Sequence, residues 1–276
     1  MDSERSQRSF HIVVVGLGGT GGYLAELLGH LLSADAQGDG GARLKATFVD
    51  GDKVESVNLL RQNFYQDDLG RNKAQALAEA LNAGYGLHVE ASAAYLHGPE
   101  DLDALVEGDE NVIVVGAVDN NATRATIEQF VSSRARTVGL DAGNNTKDGQ
   151  VVVYGDTELL GYDGLKDLGV AAEPPRTPLD LFPELRDFSG LNANPDDQSC
   201  ELHAVHSPQN MGTNMTAGLL LFLLIAKLYT GDSLGSYLYR FDIAVPSAGP
   251  AAAPAARADG EAPSDEGDGK HEGEGR

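Results

Sequence analysis

The chain has 276 residues, of which 41% are hydrophobic, enough for one large α/β domain or two small ones. Its formal net charge is −22, so its surface repels nucleic acid and anionic membranes, and we expect neither as a partner. The only cysteine, Cys200, excludes a disulfide framework within the chain, and without a CxxC motif no structural zinc site is expected.

Strand-like and helix-like segments alternate from residue 10 to about residue 154. The strand-like runs, in chain order, are FHIVVVG, KATFVD, HVEASAAYL, NVIVVGAVD, TVGLDAG and QVVVYG. The helical patterns between them are GLGGTGGYLAELLGHLL, GRNKAQALAEALNAG, PEDLDALVE and NNATRATIEQFVSSRA. This alternation predicts an α/β fold with a doubly wound, mostly parallel, Rossmann-like sheet.

The remaining segments differ in composition from this core. The N-terminus, MDSERSQRSF, has no apolar signal-peptide core, which favours a cytoplasmic protein. The run TAGLLLFLLIA is too short to span a bilayer and predicts a buried core helix. The expected organisation is an N-terminal arm (1–9), a nucleotide-binding core (10–154), an irregular crossover insert (155–199), a helix and strand completing the domain (200–245) and a disordered acidic tail (246–276).

The segment VVVGLGGTGG places three glycines in a G-x-G-x-x-G frame between a strand and a helix. Gly16, Gly18 and Gly21 would let the backbone approach a phosphate, and the helix N-terminus would add N–H donors. Asp50, at the end of the second strand, can hydrogen-bond a ribose hydroxyl. The frame predicts nucleotide binding and leaves the nucleotide open.

The segment DGDKVESVNLLRQ, which follows the second strand, contains more polar chemistry than a connecting loop needs. Arg61, and Lys73 after it, would stabilise the negative charge that builds up when a site cleaves between the α- and β-phosphates. Asp119 follows the strand NVIVVGAV, where open α/β sheets place their ligands, and its carboxylate is suited to hold Mg²⁺ on phosphates.

Taken together, these motifs resemble the ThiF/MoeB/HesA family, relatives of ubiquitin-activating enzymes. The resemblance rests on GLGGTGG, on D-x-D-x-V-E-x-x-N-L-x-R-Q, on Lys73 and on the D-N-x-x-x-R string from Asp119 to Arg124, and it covers roughly residues 10–154. The long insert and the acidic tail are similar to the ThiF-like proteins of plasmid-borne PRTRC gene clusters.

The resemblance implies ATP-dependent adenylation of the C-terminal carboxylate of a small ubiquitin-like or sulfur-carrier-type protein, with Mg²⁺ as cofactor and a possible homodimer. It assigns phosphate and ribose contacts to a set of residues, with Asp119 positioning the metal and Arg124 bracing the loop. The expected nucleotide-binding set is Gly16, Gly18, Gly19, Gly21, Asp50, Asp52, Asn58, Arg61, Gln62, Lys73 and Asp119. Of these, Arg61, Lys73 and Asp119 are the expected catalytic residues.

Cys200 is the fourth expected catalytic residue, because many relatives carry a cysteine before the last long helix that receives the activated acyl group. A thiolate can attack an acyl adenylate, and His203 and His206 lie close enough in sequence to act as bases. Two other interpretations of Cys200 stay open: a small buried hydrophobic residue, or a metal ligand together with the two histidines. The arginine that relatives send into the partner subunit has only Arg5 or Arg8 as a counterpart here.

Two alternative functions remain at this stage. A NAD(P)-dependent oxidoreductase would explain the glycine loop and Asp50 but gives Arg61, Lys73 and Asp119 no role. A non-catalytic module that binds a ubiquitin-like partner would explain the fold without requiring the phosphate-binding residues.

Overall fold

The computed structural model describes residues 8–38, 41, 43–108, 110–161, 175–188 and 210–244, and the backbone of 247–250. Its strands are β1 Phe10–Val15, β2 Leu44–Val49, β3 Glu90–Ser92, β4 Val112–Gly116, β5 Thr137–Asn144, β6 Asp148–Gly155, β7 Leu238–Asp242 and β8 Ser247–Pro250. Its helices are α1 Gly19–Ala36, α2 Lys73–Tyr85, α3 Pro99–Asp103, α4 Asn121–Ser133, α5 Pro178–Leu181 and α6 Met211–Thr230. Short 3-10 turns span Asn58–Leu60, Gln66–Asp68 and Pro183–Arg186.

The strands form one sheet in the order β3-β2-β1-β4-β5-β6-β7-β8. The first five strands in this order are parallel, and β6, β7 and β8 are added antiparallel at one side. The prediction of a doubly wound, mostly parallel α/β sheet is therefore confirmed. The strand order reverses between β1 and β4, which is where sheets of this kind open a ligand-binding crevice.

Alternate residues of β1 supply the two hydrophobic layers, as the two-residue repeat of a strand requires. Ile12 and Val14 face a layer formed with α1, α2 and α6, whereas Val13 and Val15 face a layer formed with α3, α4 and α5. Because both faces of the central strands are covered, the strands read as continuous apolar runs rather than as alternating ones.

Helices α1 and α6 lie side by side on the first of these layers. A Cβ on Gly218 would meet the carbonyl oxygen of Thr20 at 3.1 Å, so the small residue in α6 permits the close approach of α1. At the other end of the pair, the Tyr229 hydroxyl donates to Asp35 over 2.6 Å. The two helices are thus in contact along most of their length.

The described residues cover only one side of α6. Its apolar residues at successive four-residue steps, Met211, Met215, Leu219 and Leu223, are each about half exposed, at 50%, 46%, 47% and 50%. Among the described helices, α6 alone is long and apolar enough to cross a membrane, with half of the relevant stretch buried inside the protein. The run expected to be too short to span a bilayer is part of a helix of 20 residues, so that argument from length is wrong. The inner side of the helix is buried as expected, and its outer side forms an apolar stripe, defined here as these four residues.

Two details differ from the sequence-based prediction. Ser247–Pro250 pairs antiparallel with β7 as strand β8, so the predicted disordered tail does not begin at residue 246. The strand escapes notice because Ser, Ala, Gly and Pro are poor strand formers, and pairing with the otherwise open edge of β7 determines its conformation. In the crossover insert, the described part folds onto α4, where the amide N–H of Leu179 donates to Glu128 and Asn121 donates to the carbonyl of Asp187.

Candidate functional site

A cleft lies across the carboxyl ends of the parallel strands, where open α/β sheets bind their ligands. Its wall is formed by the segments that follow β1, β2, β3 and β4 and by the end of β5. The predicted residues that line it are Gly16, Gly18, Gly19, Asp50, Asp52, Arg61, Gln62, Lys73 and Asp119. Residues distant in sequence thus meet at one place, while the role of each stays a prediction.

The glycines of the loop between β1 and α1 have two different roles: some line the cleft, and others allow close contacts between backbone segments. Gly16 has a φ of 88°, and a Cβ there would lie 2.7 Å from the carbonyl oxygen of Ala117. Gly18 and Gly19 line the cleft, and no side chain caps the start of α1, which suits its first N–H groups to a phosphate. Gly21 does not line the cleft: a Cβ there would meet the Gly16 oxygen at 1.9 Å, so Gly21 serves the close packing of α1 on β1.

The acidic residues after β2 are already held in a defined arrangement. The carboxylate of Asp50 accepts hydrogen bonds from the backbone N–H groups of Leu17, at 2.6 Å, and Asp52, at 2.8 Å. Asp52 in turn pairs with the Lys73 ammonium at 2.8 Å and accepts a hydrogen bond from the Tyr95 hydroxyl at 2.6 Å. The network joins the second strand, the start of α2 and the segment after β3.

Burial and charge shift the ionisation of this network. Desolvation raises the pKa of Asp50 to about 6 against the lowering effect of the Lys73 charge, and the nearby Asp52 charge adds to the rise. Desolvation also raises the pKa of Tyr95, and its bond to Asp52 adds to the effect, so the phenol stays a donor. The side chain of Lys73 is only 3% exposed, which makes it a buried cation at the cleft wall.

In the N-L-x-R-Q part of the motif, Asn58–Leu60 folds as a 3-10 turn, and the chain leaves this turn at Arg61. Arg61 and Gln62 line the cleft, and the Gln62 amide faces the loop, with its Nε2 3.6 Å from the Cβ position of Gly18. Asn58 is fully buried away from the cleft, and its side-chain oxygen accepts the N–H of Glu55 at 2.8 Å. Asn58 does not line the cleft, its side-chain nitrogen has no hydrogen-bond partner within the described residues, and the phosphate contact expected of it stays a prediction.

Asp119 follows β4 as an exposed residue on the cleft wall. Arg124 fixes the segment that carries it, since the guanidinium is paired with Asp141 and donates to the carbonyls of Val118, at 2.6 Å, and Ala142, at 3.0 Å. Within the described residues, no three His, Cys, Asp or Glu side chains come close enough to hold a metal ion. The arrangement suits Mg²⁺ held by one carboxylate together with phosphate oxygens, which is its usual coordination in nucleotide sites.

Several predictions fall on residues that the structure does not describe. Cys200, His203 and His206 lie outside the described residues, as does Arg5. Arg8 is described and donates to the carbonyl of Leu159 over 2.9 Å, near the amino end of β1 and therefore at the edge of the sheet opposite the cleft.

Sequence reasoning missed several polar residues at the site, among them Tyr95, Asn144 and Asn214. Tyr95 and Asn144 line the cleft, and Asn214 lies directly beneath the glycine loop. The positions of Tyr95 and Asn144 after or at the end of predicted strands were a usable signal, since ligands gather at the carboxyl ends of parallel strands. No such signal marked Asn214, because the residues that it contacts at the site, Gly19 and Asn144, are far from it in sequence.

Known proteins share this fold and part of the sequence. Ubiquitin-like modifier-activating enzyme 5 of Dictyostelium discoideum is 30% identical over 132 residues, which cover 44% of this chain and 32% of that protein. The crystal structure of PaaA matches with a TM-score of 0.56 at 20% identity, and that of Escherichia coli MccB with ATP matches with 0.57 at 15%. Each match covers 89% of this chain and 64% of the other, so the present chain spans about two thirds of these structures and about one third of the curated relative. The model of the ThiF family matches residues 2–244, nearly the whole described protein, and the chain therefore belongs to the ThiF family.

Proposed function

We propose that this protein uses ATP to adenylate the C-terminal carboxylate of a small ubiquitin-like or sulfur-carrier-type protein. The observation that carries the proposal is the meeting of Arg61, Lys73 and Asp119 around the glycine loop in one cleft. A dinucleotide-dependent oxidoreductase has no use for this set, whereas a site that releases pyrophosphate needs it. Family membership supports the proposal, as do the name of the Dictyostelium relative and the MccB structures described with ATP and with MccA.

In the proposed reaction a carboxylate oxygen of the substrate attacks the α-phosphorus of ATP. An O–P bond forms, the bond from the α-phosphorus to the bridging oxygen breaks, and the electron pair leaves with pyrophosphate. Arg61 and Lys73 stabilise the charge that builds on the leaving group, and Asp50 accepts hydrogen bonds from the ribose hydroxyls. Asp119 would hold Mg²⁺, which neutralises part of the phosphate charge.

A second step through Cys200 belongs to the same proposal. The thiolate would attack the acyl carbonyl of the adenylate, forming a thioester and releasing AMP with the electron pair of the broken carbon–oxygen bond. The resemblance to the PRTRC subgroup and a cytoplasmic location also stay predictions.

The apolar stripe on α6 supports a homodimer as the working form. Four half-exposed apolar side chains on one helix face form a patch of the kind that marks protein interfaces. We expect Leu219→Lys to convert a dimer to a monomer in light scattering, and Ala80→Lys, at an exposed position of α2, to leave the mass unchanged. A monomeric wild-type protein would contradict the dimer.

Exchange of radiolabelled pyrophosphate into ATP, with candidate carrier proteins present, tests the adenylation step. Arg61→Ala and Asp119→Ala should each lose on the order of 2.7–4 kcal/mol of transition-state stabilisation, a loss of about 100-fold or more. The matched control is Arg71→Ala, because Arg71 pairs with Asp68 and Glu79 outside the cleft.

Cys200→Ala separates the two steps. It should retain exchange and lose a thiol-sensitive adduct with the carrier protein on a non-reducing gel. Full exchange activity in Asp119→Ala would contradict the adenylation mechanism, and an adduct retained by Cys200→Ala would contradict the thioester. Tighter calorimetric binding of NADH than of ATP would favour the oxidoreductase.

A further inference from the structure

The proposed nucleotide contacts use only part of the cleft. Asp50, Arg61 and Lys73 all belong to segments that follow β2, and the glycine loop follows β1. The opposite end of the cleft is lined by Ala142 and Asn144 at the end of β5, to which the nucleotide assignment gives no role. A reaction between ATP and a carboxylate needs a place for the second substrate, and this end is adjacent to the glycine loop.

The β5 end of the cleft contains a pair of amides. The side-chain nitrogen of Asn144 donates to the side-chain oxygen of Asn214 over 2.7 Å. Asn214 is fully buried, and its own side-chain nitrogen has no hydrogen-bond partner within the described residues. Among the described residues, the bond from Asn144 is therefore the hydrogen bond that fixes the side-chain amide of Asn214.

Asn214 also lies against the glycine loop. A Cβ on Gly19 would lie 2.0 Å from the side-chain nitrogen of Asn214, so this amide occupies the space that the absent side chain leaves. Next to it, the Thr213 hydroxyl donates to the carbonyl of Thr146 at 2.8 Å, which holds the start of α6 on the β5–β6 turn. The amide pair therefore connects the end of β5 to the loop beneath the expected phosphates.

We propose that Asn144 binds the reacting carboxyl group of the substrate and that Asn214 is the positioning residue that orients it. The inference rests on the proposed adenylation. A side-chain amide carries two N–H donors, and the bond to Asn214 uses one of those on Asn144. The second N–H group of Asn144, at the cleft wall, would donate to one oxygen of the substrate carboxylate while the other oxygen attacks the α-phosphorus.

A neutral donor suits this task better than a cation. A cation would stabilise the negatively charged carboxylate before reaction more than the neutral acyl group after it, and interactions stronger in the ground state do not accelerate a step. An amide donates to the acyl oxygen in both states. Among the described residues that line the cleft, the two cations, Arg61 and Lys73, follow β2, and the β5 end carries the amide of Asn144 instead.

Calorimetry on the full chain with two stable adenylate analogues tests the proposal. The probes are 5′-O-sulfamoyladenosine, which lacks an acyl group, and 5′-O-(N-acetylsulfamoyl)adenosine, which carries one. In the wild type we expect the acetylated analogue to bind more tightly. Asn144→Ala should reduce that preference by about tenfold, the factor given by one hydrogen bond to a charged or polarised group, with binding of ATP and of the unacylated analogue unchanged.

Asn214→Ala should show the same loss of preference, and the double variant should lose no more, because Asn214 acts through Asn144. The matched control is Asn145→Ala, since Asn145 bonds to Asp148 in the exposed turn and does not line the cleft. Should Asn214→Ala prove too unstable to measure, Asn144→Ala alone decides.

The outcomes separate this inference from the function on which it rests. If the wild type binds ATP and the acetylated analogue and Asn144→Ala leaves the preference intact, the inference is wrong and adenylation stands. An equal loss for both analogues would assign Asn144 to the nucleotide and also overturn the inference. A wild-type protein that binds neither ATP nor an analogue would refute adenylation itself.

Discussion

Replacing Lys73 by methionine should both destabilise the protein and weaken ATP binding. The Lys73 ammonium lies 2.8 Å from the Asp52 carboxylate, with exposed side-chain fractions of 3% and 27% for the two residues. Breaking a fully buried ion pair costs about 3–5 kcal/mol, and the partial exposure of Asp52 lowers the expected cost to about 2 kcal/mol. Methionine has a similar length and shape to the lysine stem, so the loss reports the charge rather than a cavity.

Urea unfolding of Lys73→Met, with ATP calorimetry on the same samples, measures both effects. The control is Lys227→Met, because Lys227 is exposed on α6 and its change should fall within about 0.5 kcal/mol of zero. Combining Lys73→Met with Asp52→Asn should recover part of the stability, since the second change removes the unpaired carboxylate. An unfolding midpoint and an ATP dissociation constant both equal to those of the wild type would refute the assignment of Lys73 as a buried phosphate-binding cation.

Three further predictions follow from other features. The pKa of Asp50 is raised from 3.8 to about 6, so between these pH values the folded state keeps a proton that the unfolded chain releases. The resulting contribution to the free energy of unfolding is fully present below pH 3.8 and is lost as the pH rises through about 6. Asp50→Asn should flatten that part of a profile of urea unfolding against pH. Gly21→Ala should cost about 1–3 kcal/mol in urea unfolding and impair ATP binding in calorimetry, because its Cβ would lie 1.9 Å from the Gly16 oxygen, whereas Gly84→Ala in α2 has open space and should be neutral or stabilising. Deleting residues 251–276, which contain no Val, Leu, Ile, Met, Phe or Tyr, should leave the thermal unfolding midpoint unchanged, and a clear decrease would show that the segment packs on the domain.

The sequence predicts the core of this fold well because its signals are local. Apolar runs such as residues 10–15 and 112–116 are strong enough alone to indicate strands with both faces covered, and glycines and caps mark where the helices begin. Strand β8 illustrates the limit, since its residues have low strand propensity and acquire their conformation from pairing with β7. This pairing depends on the free edge of β7, which the residues of β8 themselves do not reveal.

The residues of the candidate site also divide into those that local sequence signals reveal and those that only the folded structure reveals. Asp50 and Asp119 are predictable because the end of a parallel strand is a position that sequence reveals. Asn58 is harder to place, because the 3-10 turn ends at Leu60 and Arg61 leaves it with a φ of −149°, so the fixed spacing of the motif does not tell which of its members line the cleft. Asn214 becomes visible only once α6 is packed beside α1, 195 positions after Gly19, a separation that no local pattern bridges.

The pairing of α1 with α6 has a consequence for communication across the molecule. The helices are fastened at both ends, through Gly19 and Asn214 at one and through Asp35 and Tyr229 at the other, over a helix of 18 residues that is about 27 Å long. If the two helices move as a unit, a shift of the glycine loop would displace the outer side of α6, where the apolar stripe lies. If a ligand at the loop changes the affinity of that stripe for another protein, the protein must change the affinity of the ligand by the same factor. Binding of a nucleotide at the loop and binding of a protein at the stripe would then be thermodynamically coupled.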